Sequence, residues 1–406
     1  AVEVVAATMA RNDLATHLCA AAELPGAKRT AAYAHVLENI LQGEEVREGI
    51  ATYVRDALLD RVNMVGAGLI VGRQVLQDLC AALHTAHTDR THPLSDTSLY
   101  VAVLRDVLAS AHAQAVNLED ELAQVRLLLA DALEDQHAYA DAAHVLQEIT
   151  ADAGRRLRND ALWLRIYVRI ARLLLSADDV AGAELYLKRA ASALHADDDT
   201  LMHEARVCQA LVWDRQRRFG DAAQRFWELC LRSDEAHREA FAAAVASALL
   251  ASPSAARERL LHVLVGDARA PSLPLYTVLL RAAHKRFLRP EDVHALNSHL
   301  APHHQGTHAA RDAAAEHNVC AAARVYATTP LNSLAELVGL EPSACEALVG
   351  HMIVQQMLPA NTHIDQLANA VCFGAATDVS AHDPRAVAAT NALEAAHVAI
   401  QRIHTP

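Results

Sequence analysis

Apolar residues recur three and four positions apart along most of this chain, with polar residues between them, which is the signature of amphipathic helices. From Asp13 to about Leu83 the pattern breaks at Leu24-Pro25-Gly26 and again at Gly66 and Gly68. With only 14 glycines and 12 prolines among 406 residues, such breaks are informative. His84 to Pro93 is polar and reads as a loop. Helix is predicted again over Leu99 to about Ala113 and from Leu118, where Asn117 is a candidate cap and Glu119 to Glu121 suit a helix N-terminus. Ser254 to Val265, Leu275 to Leu288 and Glu291 to Leu300 read as further helices, with Pro253, Pro271, Pro274 and Pro290 at their starts. A polar loop, Ala301 to His308, precedes one more helix, Arg311 to Tyr326.

A repeat lies inside this pattern. Ala138-Tyr139-Ala140-Asp141-Ala142, Asp179-Val180-Ala181-Gly182-Ala183 and Arg218-Phe219-Gly220-Asp221-Ala222 share one design, and their last alanines are 41 and 39 residues apart. A bulky residue in a turn, followed three positions later by a small one, suits a helical hairpin: the first plugs the turn and the second lets two helices approach. The expected fold is therefore mostly α, a right-handed α-solenoid of tetratricopeptide-like helical repeats in which each repeat buries its apolar face against its neighbours.

After Tyr326 the period changes. Thr329-Pro330 is predicted to start a helix carrying Leu331, Leu334, Leu337 and Val338, with Gly339 closing it in a left-handed turn. Glu341-Pro342-Ser343 starts a second, with Ala344, Leu348, Met352 and Gln355 or Gln356 on successive turns, ending before Leu358-Pro359. Thr362 to Gln366 and Ala370 to Phe373 then read as two short strands joined by Leu367-Ala368-Asn369, Asn being tolerant of positive φ. Helix, turn, helix, hairpin is the outline of a winged helix. In the tail, Asp383-Pro384 opens a helix with Ala389, Leu393, Ala396, Ile400 and Ile403 in a heptad seam. Such a seam is exposed unless something covers it: partner helices, the expected cover, or this chain's own winged helix. The expected domains are an N-terminal arm over 1–200, a second domain over 201–374 ending in the winged module at 329–373, and a linker with a C-terminal helix over 375–406.

Charge changes what the winged module is expected to do. A winged helix is often a DNA reader, which needs Lys and Arg to neutralise phosphates. This chain carries a formal charge of -13, and no Lys or Arg occurs between Arg324 and Arg385. Direct nucleic-acid binding is not expected. No run of eighteen apolar residues appears, and Ala1 to Arg11 lack the basic start and apolar run of a signal peptide, so a soluble cytosolic protein without membrane partners is expected. Seven cysteines lie far apart with no C-x-x-C pair, which points to core thiols rather than a zinc knuckle or a disulfide framework.

The search for chemistry is equally negative. Lysine occurs only at Lys28, Lys188 and Lys285, while histidine occurs 24 times, so most histidines are expected as surface substitutions. There is no His-x-His pair, no H-E-x-x-H and no G-x-x-x-x-G-K. The nearest metal-like cluster, His299, His303, His304 and His308, lies beside Pro302 and Gly306 and reads as a solvated loop. No catalytic, cofactor-binding or metal-binding residue is expected, and no cofactor.

A helical-repeat arm running into a winged helix resembles the PCI-domain family of proteasome-lid, COP-nine signalosome and initiation-factor-three subunits. Particular segments resemble its signalosome branch: Val71 to Cys80, Ile170-Ala171-Arg172 with Ala183 to Tyr186, Arg217 to Leu229, Glu316-His317-Asn318 with Tyr326, and Met352 to Phe373. The alternative within the family is a proteasome-lid subunit of the non-ATPase series; Arg73 to Cys80 and the wing favour the signalosome. That resemblance implies a non-catalytic scaffold in the complex that removes Nedd8 from cullins, with the zinc isopeptidase in a separate MPN subunit. It also implies other PCI and MPN subunits and cullin-RING ligases as partners, and a cytoplasmic and nuclear location. PCI winged helices assemble side by side through strand edges, which makes Thr362, Ile364, Gln366, Ala370, Val371 and Phe373 the expected interface. Leu393, Ile400 and Ile403 are expected to join a bundle of subunit tails, and the loop Ala301 to His308 to face the MPN subunits.

Overall fold

The computed structural model describes residues 14–373, apart from 15, 25, 44–45, 59–67, 112–117, 153–159, 193–198, 232–236 and 306. A helical stretch over 16–22 leads into α1 (Gly26–Leu41), α2 (Val46–Tyr53), α3 (Gly68–Thr88), α4 (Thr97–Ala111), α5 (Glu119–Asp135), α6 (Tyr139–Asp152), α7 (Asp160–Ser176), α8 (Val180–Ser192) and α9 (Asp199–Arg215). Then follow α10 (Phe219–Cys230), α11 (His237–Leu250), α12 (Ala255–Gly266), α13 (Tyr276–Ala283), α14 (Pro290–Ser298) and α15 (Ala309–Val325). The chain closes with β1 (Thr328–Pro330), α16 (Leu331–Val338), α17 (Pro342–Val354), β2 (His363–Asp365) and β3 (Ala370–Cys372). It divides into two compact units at Cys208/Gln209, within α9. The expected C-terminal helix, with Leu393, Ile400 and Ile403, and the candidate cap Asn117 lie outside the described residues.

The fold is mostly helical, and its repeat is written in the backbone. At three equivalent turns a residue other than glycine takes positive φ: His137 at 58°, Asp178 at 64° and Arg217 at 60°. Each begins the turn that closes one helix and opens the next. Ala138 N–H donates to Leu133 O at 2.9 Å, Asp179 N–H to Leu174 O at 2.8 Å and Arg218 N–H to Trp213 O at 2.8 Å, satisfying carbonyls that a helix end leaves free. Ala142, Ala183 and Ala222 are fully buried, whereas Tyr139, Val180 and Phe219 are only half-buried. The close approach at the alanines, rather than a plugged turn, is what this spacing serves.

Within the first unit, Arg169 of α7 donates to Glu134 of α5 at 2.6 Å and also pairs with Asp131, so side chains of one helical pair hold the next. The expected loop at His84 starts later, because α3 continues to Thr88; the His87 ring stacks on Tyr100 at 4.1 Å.

In the second unit, Ser254 caps α12, accepting from Arg257 N–H at 3.2 Å. The Arg257 guanidinium is buried, with no carboxylate in salt-bridge contact among the described residues, and donates to Ala248 O at 2.9 Å and Leu249 O at 3.2 Å, at the end of α11 where the helix dipole favours a cation. From α15, Asn318 accepts from Leu288 N–H at 2.8 Å and donates to Leu288 O at 3.0 Å, and His317 Nε2 donates to Arg286 O at 2.8 Å. These buried side chains fix the segment between α13 and α14 to α15, the helix on which the winged module is built.

The winged module packs Val319, Ala322 and Ala323 of α15 against Leu331, Leu334 and Ala335 of α16, Cys345, Val349 and Met352 of α17, and Val371 and Phe373. Axes of α16 and α17 meet at 91°, the crossing of a helix-turn-helix. Gly339 takes φ 76° as expected, and Arg311 of α15 donates to its carbonyl at 3.1 Å. Three expectations are corrected. Thr329-Pro330 forms a strand instead of a helix start: Pro330 is the N-cap residue, no side chain caps α16, and the Thr329 hydroxyl is buried without a hydrogen-bond partner among the described residues. Leu337 is 40% exposed rather than buried. On α17 the inward face runs through Cys345, Val349 and Met352, so Ala344 points outward.

Candidate interaction site

The sheet has the order β1-β3-β2, both pairings antiparallel. β3 is therefore central, with Ala370, Val371 and Phe373 buried at 7%, 0% and 2% exposure. These three expected interface residues belong to the module's core, and among the described residues the outer sides of β1 and β2 are the unpaired edges.

Antiparallel pairing alternates, so the register shows which backbone groups face outward. Phe373 N–H donates to Ala327 O at 2.9 Å and Leu331 N–H to Asn369 O at 2.8 Å, and the pair between them, Thr329 with Val371, is bonded in the same phase. Thr328 and Pro330 consequently turn their backbone polar groups away from β3. Since Val371 bonds toward β1, Ala370 and Cys372 bond toward β2, pairing with Asp365 and His363. Ile364 then directs its N–H and C=O to the open side while its side chain is half-buried against the core. Of the expected residues, Ile364 is the one whose backbone lies on an edge. Thr362 is buried, and its N–H donates to Pro359 O at 2.9 Å. Gln366 is exposed and donates to Glu346 of α17 at 3.3 Å.

At the hairpin tip, Asp365 accepts from Leu367 and Ala368 N–H at 2.9 and 3.0 Å, and Asn369 takes φ 48°. This turn leaves the Leu367 side chain fully exposed. The outer surface of α17 and its flanks offers Glu341, Ser343, Ala347, His351 and Val354. No Lys or Arg lies in this module to meet a phosphate backbone. Among the described residues no single helix is long and apolar enough to cross a membrane.

A second site was not foreseen. Of the four clustered histidines, His299 bonds Ala295 O of its own helix at 2.9 Å and His308 sits at the start of α15 without capping it. His303 and His304 instead converge on Asp214, from the last turn of α9. Their Nε2 atoms lie 2.8 and 3.0 Å from the same oxygen, Oδ2. His304 is 4% exposed, so the expectation of a solvated loop fails at this residue. The Asp214 partner, 89 residues before His303, lies in a helix and had no sequence signal of its own. Burial alone would push the Asp214 carboxyl up, but the bonds from His304 and His303 outweigh it and hold the group below the usual carboxylate range. The trio borders a cavity of about 620 Å³ walled by Leu211, Phe226, Leu250 and Leu300.

Comparisons with known proteins agree with one another. Residues 67–235 match the family described as PSMD12/CSN4, N-terminal. The chain is 31% identical to COP9 signalosome complex subunit 4 of Emericella nidulans over 356 residues, covering 83% of this chain and 85% of the relative. It is 29% identical to the subunit of the same name from Drosophila melanogaster, over 84% of this chain and 83% of the relative. For the Arabidopsis thaliana protein the identity is 26%, with coverage of 82% and 84%.

Proposed function

Because the chain belongs to the COP9 signalosome complex subunit 4 family, we propose that it is a non-catalytic scaffold of that complex, docked on neighbouring subunits through the strand edges of its winged module. The observation that carries the docking mode is the pair of edges at Thr328 and Ile364, unpaired among the described residues, in a module without Lys or Arg. Exposed edges are templates for strand addition, and proteins that keep them open use them for assembly.

The neighbours in this reading are other PCI subunits and MPN subunits, with the isopeptidase zinc carried by an MPN chain. Residues 1–200 act as an arm toward the cullin-RING ligase substrate, 201–374 as the PCI domain, and 375–406 as a linker and bundle helix. The complex works in cytoplasm and nucleus, without nucleic acid or membrane as direct partners. Affinity purification of the tagged full chain tests the reading. Signalosome subunits and cullins are the expected companions, and proteasome ATPases in their place would overturn it. Thr328→Pro removes an outward N–H without touching the β1–β3 ladder, so it is expected to weaken capture of the neighbouring PCI subunit while the isolated chain melts as before. Unchanged capture would sink the edge-pairing mode.

A further inference from the structure

We propose that Asp214, His303 and His304 form a binding site for one divalent transition-metal ion of the zinc class, which ties the loop after α14 to α9. The three donor atoms lie within 4.8 Å of one another, and each residue offers one. Two imidazole nitrogens and a carboxylate oxygen suit zinc, whereas magnesium and calcium require oxygen-rich sites. In a tetrahedral site with bonds of about 2.0–2.1 Å, donors stand roughly 3.3 Å apart. Asp214 Oδ2 is already 2.8 Å from His303 Nε2 and 3.0 Å from His304 Nε2, so these two pairs need to open by only a few tenths of an ångström, and the two imidazole nitrogens lie within 4.8 Å of each other.

The surroundings hold the donors in place. The Ser247 hydroxyl of α11 donates to Asp214 Oδ1 at 3.4 Å, leaving Oδ2 for the histidines. The Phe219 ring packs edge-on to His304 with centroids 5.3 Å apart, and the two imidazoles are 4.0 Å apart. Of these, the Ser247 bond to the carboxylate is the kind of supporting contact that raises a ligand set's affinity. As the trio stands, Asp214 Oδ2 accepts from both imidazoles, which a carboxylate oxygen with two lone pairs can do. A cation between the three groups replaces both N–H contacts, and each neutral imidazole then carries its proton on Nδ1. The His303 side chain is 26% exposed and gives a route of entry, and the adjoining cavity leaves space for water as the fourth ligand.

The test uses the full chain after treatment with a chelator. Zinc titrated against a chromogenic indicator is expected to show one equivalent per chain, and Co²⁺ is expected to give the visible absorption of a tetrahedral site. Asp214→Asn, His303→Gln and His304→Gln should each weaken binding by about tenfold or more, with Ser247→Ala losing about tenfold through its supporting contact. His299→Gln and His308→Gln should match the parent chain. No saturable equivalent in the parent overturns the proposal, a result that depends on no variant folding. Binding that survives all three ligand substitutions overturns it too. Variants that melt earlier, from a parent that binds no metal, would mean that the trio is a hydrogen-bonded anchor only.

Discussion

His317 is a buried base kept neutral by its surroundings. Nε2 donates to Arg286 O, and Nδ1, without a proton, faces the Arg257 guanidinium at 3.4 Å. Burial first, and then the Arg257 charge, push its pKa from 6.5 down to about 4. The folded-state value is depressed for a base, so the unfolded chain binds the extra proton first, and stability falls as pH drops from about 6.5 toward 4. The size is on the order of 3 kcal/mol. His317→Gln keeps a donor and an acceptor but cannot titrate, so urea unfolding of this variant is expected to lack that part of the acid loss. An equally steep decline in His317→Gln would assign the loss to other groups. Arg257→Met leaves two helix-end carbonyls and His317 Nδ1 without their donor, and a loss of about 2–4 kcal/mol is expected by the same measurement. The segment Glu316-His317-Asn318 stands out in the sequence, but its work does not: its partners lie about thirty residues or more away, beyond the reach of local spacing.

Among the elements, the regular ones were the most legible. Helical spacing, Gly339 at its cap, Pro290 and Pro342 at first positions and Asn369 in the hairpin each follow from local chemistry, and each occurs where expected. β1 was not legible, because Thr-Pro before a leucine-rich stretch has the appearance of a helix cap, and only pairing with a strand some forty residues later makes it β. On α17 the expectation erred in the first turn, where Cys345 and not Ala344 faces the core, because both are small enough for either face, while Leu348 and Met352 do meet the core. The repeated left-handed turn is a further consequence of tertiary demand: histidine and arginine occupy a conformation that costs a non-glycine residue roughly 1 kcal/mol. His137→Gly and Arg217→Gly are each expected to raise unfolding free energy by about 0.5–1 kcal/mol, read by chemical denaturation. Ala222→Leu, at the fully buried close approach, should lower it by about 1–3 kcal/mol.

On the scale of the whole molecule, the family was legible in the sequence, and the layout of the sheet was only partly so. The missing basic residues and the alternating strands point to a protein partner, and Ile364 does lie on an edge. Ala370, Val371 and Phe373 failed as surface because a third strand, unseen in the sequence, encloses β3. A separate prediction concerns the tail: Ile400→Asp with Ile403→Asp is expected to release the chain from its complex while leaving it soluble, as judged by co-purification. Undiminished recovery of the other subunits would count against a bundle role for the heptad seam.

Pro330 gives the two sides of the sheet different capacities. Of the two β1 residues that face outward, Thr328 can donate and Pro330 cannot, whereas β2 presents both a donor and an acceptor at Ile364. Two copies meeting β1 to β1 would each confront a gap in the ladder, so self-pairing on that side is disfavoured. Joining β2 of one module to β1 of another makes fuller use of the groups available. A row built this way has a direction.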